Sequence, residues 1–131
     1  MAGIERYSSG TPWEPVVGYS RVVRAGPHVY VSGCTSTGED GAFVDGDAAA
    51  QARRALANLI RALERAGATP EDVVQTRMYV TDIDQWEAVG RAHGETFGAV
   101  RPATAMVEVS RLIDPRMRFE VEAIAYSPAR E

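Results

Sequence analysis

The hydrophobic period of this chain changes partway along, and that change restricts the fold more than any other feature. From Asp47 to Ala66 the apolar residues Ala52, Ala55, Leu56, Leu59, Ile60 and Leu63 recur with the stripe of an amphipathic helix, whereas on either side they alternate as in half-buried strands. Asp47 is a candidate N-cap and Gly67 a candidate C-cap for that helix. Arg53, Arg54, Arg61 and Arg65 lie mostly off the stripe and read as a solvated face. A second helix is expected over Asp84 to Phe97, with Trp86, Val89, His93 and Phe97 down one side and Gly98 closing it. On that stripe His93 reads as a packed histidine.

Strands are expected at Ile4 to Tyr7, Tyr19 to Arg24, His28 to Gly33, Val73 to Val80, Ala103 to Val109 and Arg118 to Tyr126. Ala25-Gly26-Pro27 reads as a hairpin turn, and Ala42 to Val44 as a short strand within a glycine-containing loop. In the fourth strand Val74, Met78 and Val80 alternate against Gln75, Arg77 and Tyr79. The pattern predicts an α+β domain in which two helices cover the apolar face of one mixed sheet. The opposite face is expected to carry Glu108, Arg118, Glu120 and Glu122 beside Met106, Ile124 and Tyr126. Such a face is either wet or packed on another subunit, and its apolar groups favour packing.

At 131 residues the chain suits one domain over residues 1–131. A net charge of −4 without a basic block argues against a nucleic-acid binder that neutralises phosphates. No apolar run is long enough for a bilayer, and Met1 to Arg6 lacks the pattern of a secretory leader, so no membrane partner and a cytoplasmic location are the expectation. All 14 basic residues are arginines. Without lysine there is no Schiff base and no lysine-anchored pyridoxal phosphate. The two histidines, His28 and His93, share no ligand-like spacing with the lone Cys34, so neither metal nor cofactor is expected.

Five stretches are recognisable together: Gly18-Tyr19-Ser20-Arg21-Val22-Val23; Val29-Tyr30-Val31-Ser32-Gly33; the Ala50-Gln51-Ala52-Arg53 helix start with Asn58-Leu59; Asp72 to Asp82; and Pro102 to Val109 with Phe119 to Ala125. From about Tyr19 to Ala125 the chain resembles the Rid family (YjgF/RidA-like, also called endoribonuclease L-PSP). The resemblance implies a chorismate-mutase-like, ferredoxin-like α+β fold assembled as a homotrimer, with the polar sheet face turned inward and small-molecule clefts between subunits. In the best-known branch that cleft hydrolyses enamines and imines such as 2-aminoacrylate to a 2-keto acid and ammonia.

Carried over by position, the resemblance makes Glu120 the residue that holds or activates water, and Tyr19, Ser32 and Gly33 the pocket wall. Cys34 replaces the usual glutamine after Ser-Gly, Met106 stands where cysteine is common, and Gly90 where asparagine is common. Thr104 occupies the place of the arginine that clamps the substrate carboxylate. Arginine binds a carboxylate through two parallel charge-assisted bonds, and a threonine hydroxyl offers one neutral contact. Arg101 and Arg21 are the candidates for a displaced clamp, or else make ordinary salt bridges. Cys34 reads either as a nucleophile, which would need a base near it, or as a small wall residue. Three functions remain open: an imine or enamine deaminase of altered specificity, a non-catalytic small-molecule-binding trimer, and a ribonuclease, for which the acidic charge is poorly suited.

Overall fold

The computed structural model describes residues 3–128, so the first two residues of the Met1 to Arg6 stretch lie outside them. Six strands form one mixed sheet: β1 (Ile4–Tyr7), β2 (Val22–Ala25), β3 (His28–Cys34), β4 (Val73–Val80), β5 (Ala103–Glu108) and β6 (Phe119–Tyr126). Their spatial order is β1-β2-β3-β6-β4-β5. Neighbours are antiparallel except β4 and β5, which run parallel because a helix carries the chain between them.

Three helices complete the chain: α1 (Trp13–Val17), α2 (Ala48–Arg65) and α3 (Trp86–Phe97). The Asp47 side chain accepts from the Ala50 N–H and starts α2 as an N-cap should. Beyond its end Gly67 takes φ +83°, and the Ala68 N–H returns to the Leu63 carbonyl. Leu56, Leu59 and Leu63 of α2 and Val89 and Phe97 of α3 are buried against Val29, Val31, Met78, Val80, Phe119 and Val121 of the sheet. Each such side chain contributes about 1.5–3 kcal/mol by leaving water.

Several expectations change. The segment after the first strand, for which no helix is expected from the pattern, carries α1. The second strand starts at Val22, leaving Tyr19 to Arg21 outside it. Ala42 to Val44 is no strand; a single bridge joins Thr37 and Phe43. Trp86 heads α3 but is 59 % exposed, off the buried stripe. In β4 a register shift against β6 between Val73 and Gln75 turns Val73 inward and Val74 outward, so Thr76, Met78 and Val80 share the core face. Arg118 precedes β6.

The correction with most consequence concerns β5. Parallel pairing sets Thr104 beside Thr76, Met106 beside Met78 and Glu108 beside Val80, so Thr104, Met106 and Glu108 belong to the helix-covered face, not the open one, and Met106 packs on the core. Ala105 and Val107 instead join Arg77, Tyr79, Glu120 and Glu122 on the open face. Alternation within one strand defines two faces without saying which is inside, and β5 is too exposed for its own composition to decide.

Gln51, 1 % exposed, ties the start of α2 to the approach to β6: its amide donates to the Gly46 and Arg116 carbonyls, and its oxygen accepts from the Arg118 N–H. Gln51→Leu fills the volume but leaves three backbone groups without partners, and should cost at least ~2 kcal/mol in urea unfolding.

Candidate functional site

The site begins with an irregularity in β3. Val31 pairs with Ala123 and Cys34 with Val121, so one extra residue lies on the β3 side of the ladder and Ser32-Gly33 form a bulge. The bulge turns the Ser32 and Gly33 carbonyls toward Arg21, whose Nη1 donates to them at 3.2 and 2.5 Å. Ser32 is pinned from the other side, its N–H donating to the Arg21 carbonyl and its hydroxyl to the Ser20 carbonyl.

Arg21 is only 8 % exposed, so its charge needs an answer. Glu14 of α1, 3 % exposed, supplies it at 3.5 Å. Glu14 in turn accepts from the hydroxyls of Ser8, Ser9 and Thr11 and from the Ser9 N–H. Burial works against its carboxylate, but those donors win and hold the carboxyl at about 2. The remaining Arg21 donors go to Ser9 Oγ and the Tyr19 hydroxyl, with the guanidinium 5.5 Å from the Tyr19 ring.

Around this frame lies a cavity of about 700 Å³, bounded by the end of β3, the loop after it, α2 and β6. Tyr19, Ser32, Gly33, Cys34 and Glu120 all line it. Gly33 is required by a close approach: a Cβ there would lie 1.8 Å from Glu120 Oε2. No hydrogen bond from the described residues reaches the Glu120 carboxyl. Burial raises its pKa, Arg21 pulls the other way, and Glu122 adds to the rise. A carboxyl so placed can exchange a proton with whatever occupies the cavity.

Cys34 is buried, and burial lifts its thiol to about 11 despite Arg21 beside it. It is a neutral wall group. His93 lies away from the cavity, against Phe97 with ring centroids 4.8 Å apart, and burial lowers its pKa. Among the described residues no three His, Cys, Asp or Glu side chains form a metal-binding group.

Thr104, Met106 and Arg101 do not line the cavity within one chain, because β6 and β4 stand between β3 and β5. The Thr104 hydroxyl accepts from Thr76 Oγ1 at 2.7 Å, and that oxygen meets His93 Nε2 at 2.9 Å. Arg101 is exposed and takes φ +59° in the turn between α3 and β5. Of the two candidate clamps, Arg21 reaches the cavity.

Glu14, Ser9 and Thr11 were not singled out in the sequence. A signal was there: Thr11-Pro12-Trp13-Glu14 has the Thr-x-x-Glu spacing of a capping box, with proline at a helix start. Asn58, which donates to the Thr35 and Thr37 carbonyls and fixes the loop beside the cavity, was noted only as part of a motif.

The family model described as Endoribonuclease L-PSP matches residues 10–127. An uncharacterized protein of Streptomyces coelicolor is 37 % identical over 126 residues, covering 96 % of this chain and 94 % of its own. A RutC family protein of Pyrococcus abyssi is 36 % identical over 115 residues, 86 % of this chain and 89 % of its own. Among solved structures, a Mycobacterium tuberculosis member of the YjgF/YER057c/UK114 family superposes with TM-score 0.87 at 50 % identity, covering 95 % and 99 % of the two chains. The YjgF gene product of E. coli gives 0.81 at 31 % identity over 92 % and 95 %. No described helix is long and apolar enough to cross a membrane.

The depressed Glu14 carboxyl stabilises the fold by about 3 kcal/mol, fully present above pH 4.5 and lost as pH falls toward 2. In Glu14→Gln, urea unfolding should show a loss of that order at pH 7 and a flatter pH dependence between 4.5 and 2.

Proposed function

The chain belongs to the YjgF/YER057c/UK114 (Rid, RutC) family, and on that premise we propose that it hydrolyses a small imine, enamine or related carbonyl compound in clefts of a homotrimer. The observation that carries the reading is Glu120: a carboxyl with raised pKa and no internal partner, held against a glycine at the wall of a cavity of about 700 Å³. That volume fits a small metabolite.

In the proposed reaction Glu120, as carboxylate, takes a proton from water as the water oxygen adds to the imine carbon. The protonated Glu120 then returns that proton to nitrogen. Glu120 next takes the hydroxyl proton of this carbinolamine and passes it to the amine as the C–N bond breaks, so that ammonia leaves and the carbonyl product remains. A raised pKa suits both halves, since the group must accept and then release a proton near neutral pH. Tyr19 and the Ser32-Gly33 backbone shape the pocket, and Cys34 contributes bulk.

Assembly is supported by the open sheet face, where Tyr30, Val107 and Tyr126 are each about half exposed beside Ile124. In the trimer the exposed edge strand β5 would bring Thr104, Met106 and Arg101 toward a neighbour's cavity. Thr104 offers no charge there. Turnover of anionic imines such as 2-aminoacrylate should accordingly be weak, by the hundredfold or more that a lost charged partner costs. A ribonuclease reading finds no support in the site, which pairs no histidine with the cavity.

Light scattering should give a trimer at micromolar concentration, and a stable monomer would remove the proposed cleft. With imines generated in situ by an amine oxidase, Glu120→Gln should lower turnover by roughly 10²–10⁴ while the trimer persists. Gly33→Ala should do the same by displacing the flexible Glu120 carboxyl. Full activity in both variants would refute Glu120 as the proton carrier.

A further inference from the structure

The charge that a ligand meets inside the cavity follows from which polar groups are already committed. Arg21 is the buried cation of the wall, and its guanidinium is engaged by four hydrogen bonds to oxygen and one ion pair. The partners are the Ser9 and Tyr19 hydroxyls, the Ser32 and Gly33 carbonyls and the Glu14 carboxylate, with Cys34 Sγ a further neighbour at 3.7 Å. Its charge is matched by Glu14 and its geometry is fixed by the β3 bulge. To grip a carboxylate it would have to abandon two buried carbonyls or break the ion pair.

The acidic groups stand differently. Glu122 at the cavity wall pairs with Arg77 at 3.2 Å. Glu120 has no such partner, and it is the more withdrawn of the two by the burial that raises its pKa. Two further arginines, Arg61 and Arg65, border the cavity from the exposed side of α2. Arg61 donates to the Asn58 side chain; Arg65 donates to the Ser8 carbonyl and lies 5.2 Å from the Tyr7 ring. Both are solvent-screened, and neither offsets Glu120 at depth.

We propose that this cavity selects ligands that present a hydrogen-bond-donating or protonated nitrogen to Glu120 and carry no carboxylate. The substrates of the hydrolase proposed above, on which this inference rests, are then neutral imines or iminium ions derived from amines rather than from amino acids. A C=N–H group donates to the Glu120 carboxylate, and the iminium form gains further from its charge. A carboxylate in the same place meets a like charge in a partly dry site, where the buried guanidinium of Arg21 is already engaged by its own chain.

Three molecules of nearly one shape test the point: propanamidine, a stable cationic analogue of a protonated imine, propanamide and propanoate. Calorimetric titration of the intact protein at pH 7 should give propanamidine binding at least tenfold tighter than propanoate, with propanamide between. Glu120→Gln should bring propanamidine down to the level of propanamide. The double variant Arg61→Ala/Arg65→Ala should leave the order unchanged. Propanoate binding as tightly as propanamidine, its loss in the double variant, or no binding of any of the three at tens of millimolar would each overturn the proposal. The two ideas fail separately. If the order holds but Glu120→Gln keeps full turnover, the hydrolase reading falls and the selectivity stands; if propanoate wins while Glu120→Gln abolishes turnover, the reverse is true.

Discussion

A guanidinium almost wholly inside the protein, at Arg21, governs the geometry of the cavity, and it can stay there only because Glu14 answers it. Breaking a buried pair by removing one partner typically costs about 3–5 kcal/mol, since the other charge is left dry and unmatched. Here the pair also has a directional task. The β3 bulge turns two carbonyls out of the ladder, and Arg21 is the donor that satisfies them. Without the bulge, Gly33 would not lie under Glu120; without Arg21, the bulge would carry unsatisfied backbone. The short helix α1 exists at this point of the chain to deliver Glu14, and the serine and threonine hydroxyls around it keep that carboxylate ionised.

Much of the architecture was legible because its signals are periodic. The α2 stripe, the Asp47 cap and the alternation of β6 are repeated over many residues, and each repeat must agree with the next. The sites of disagreement are single events. One inserted residue in β3, one register shift in β4 and the parallel docking of β5 each change which side chains face inward, and none leaves a repeating trace in the sequence. The expectation of Met106 and Glu108 on the open face fails for that reason. A strand whose residues are nearly all exposed takes its facing from its neighbour, and the neighbour here is joined through a helix, so the pairing is not local.

The candidate site divides along the same line. Tyr19, Ser32, Gly33, Cys34 and Glu120 come together in one chain because β2, β3 and β6 are adjacent. Thr104, Met106 and Arg101 belong to the far edge of the sheet, and contact between the two groups requires a second copy. Arg21 posed a different difficulty. The sequence offered a free clamp or an ordinary salt bridge; the fold gives it a third role, a buried cation whose partners are mostly backbone and hydroxyl groups of its own chain.

That third role changes how an arginine near a cavity should be weighed. Arginine is read as an anion receptor because its fork presents several donors at once. Receptor capacity belongs to the donors still unclaimed, however, and a guanidinium engaged by protein atoms contributes field but no fork. The half-buried group at the same wall that no described residue hydrogen-bonds is a carboxyl, so the proposed preference inverts: the residue that suggests an acid-binding pocket in the sequence is engaged once folded, and Glu120 offers an acceptor for nitrogen. The Thr76 hydroxyl, bonded to Thr104 and His93 at the opposite side of the sheet, shows the same economy of donors in neutral form. On the proposal made above, charge recognition in this protein turns on Glu120, a half-buried carboxyl at the wall that no described residue hydrogen-bonds.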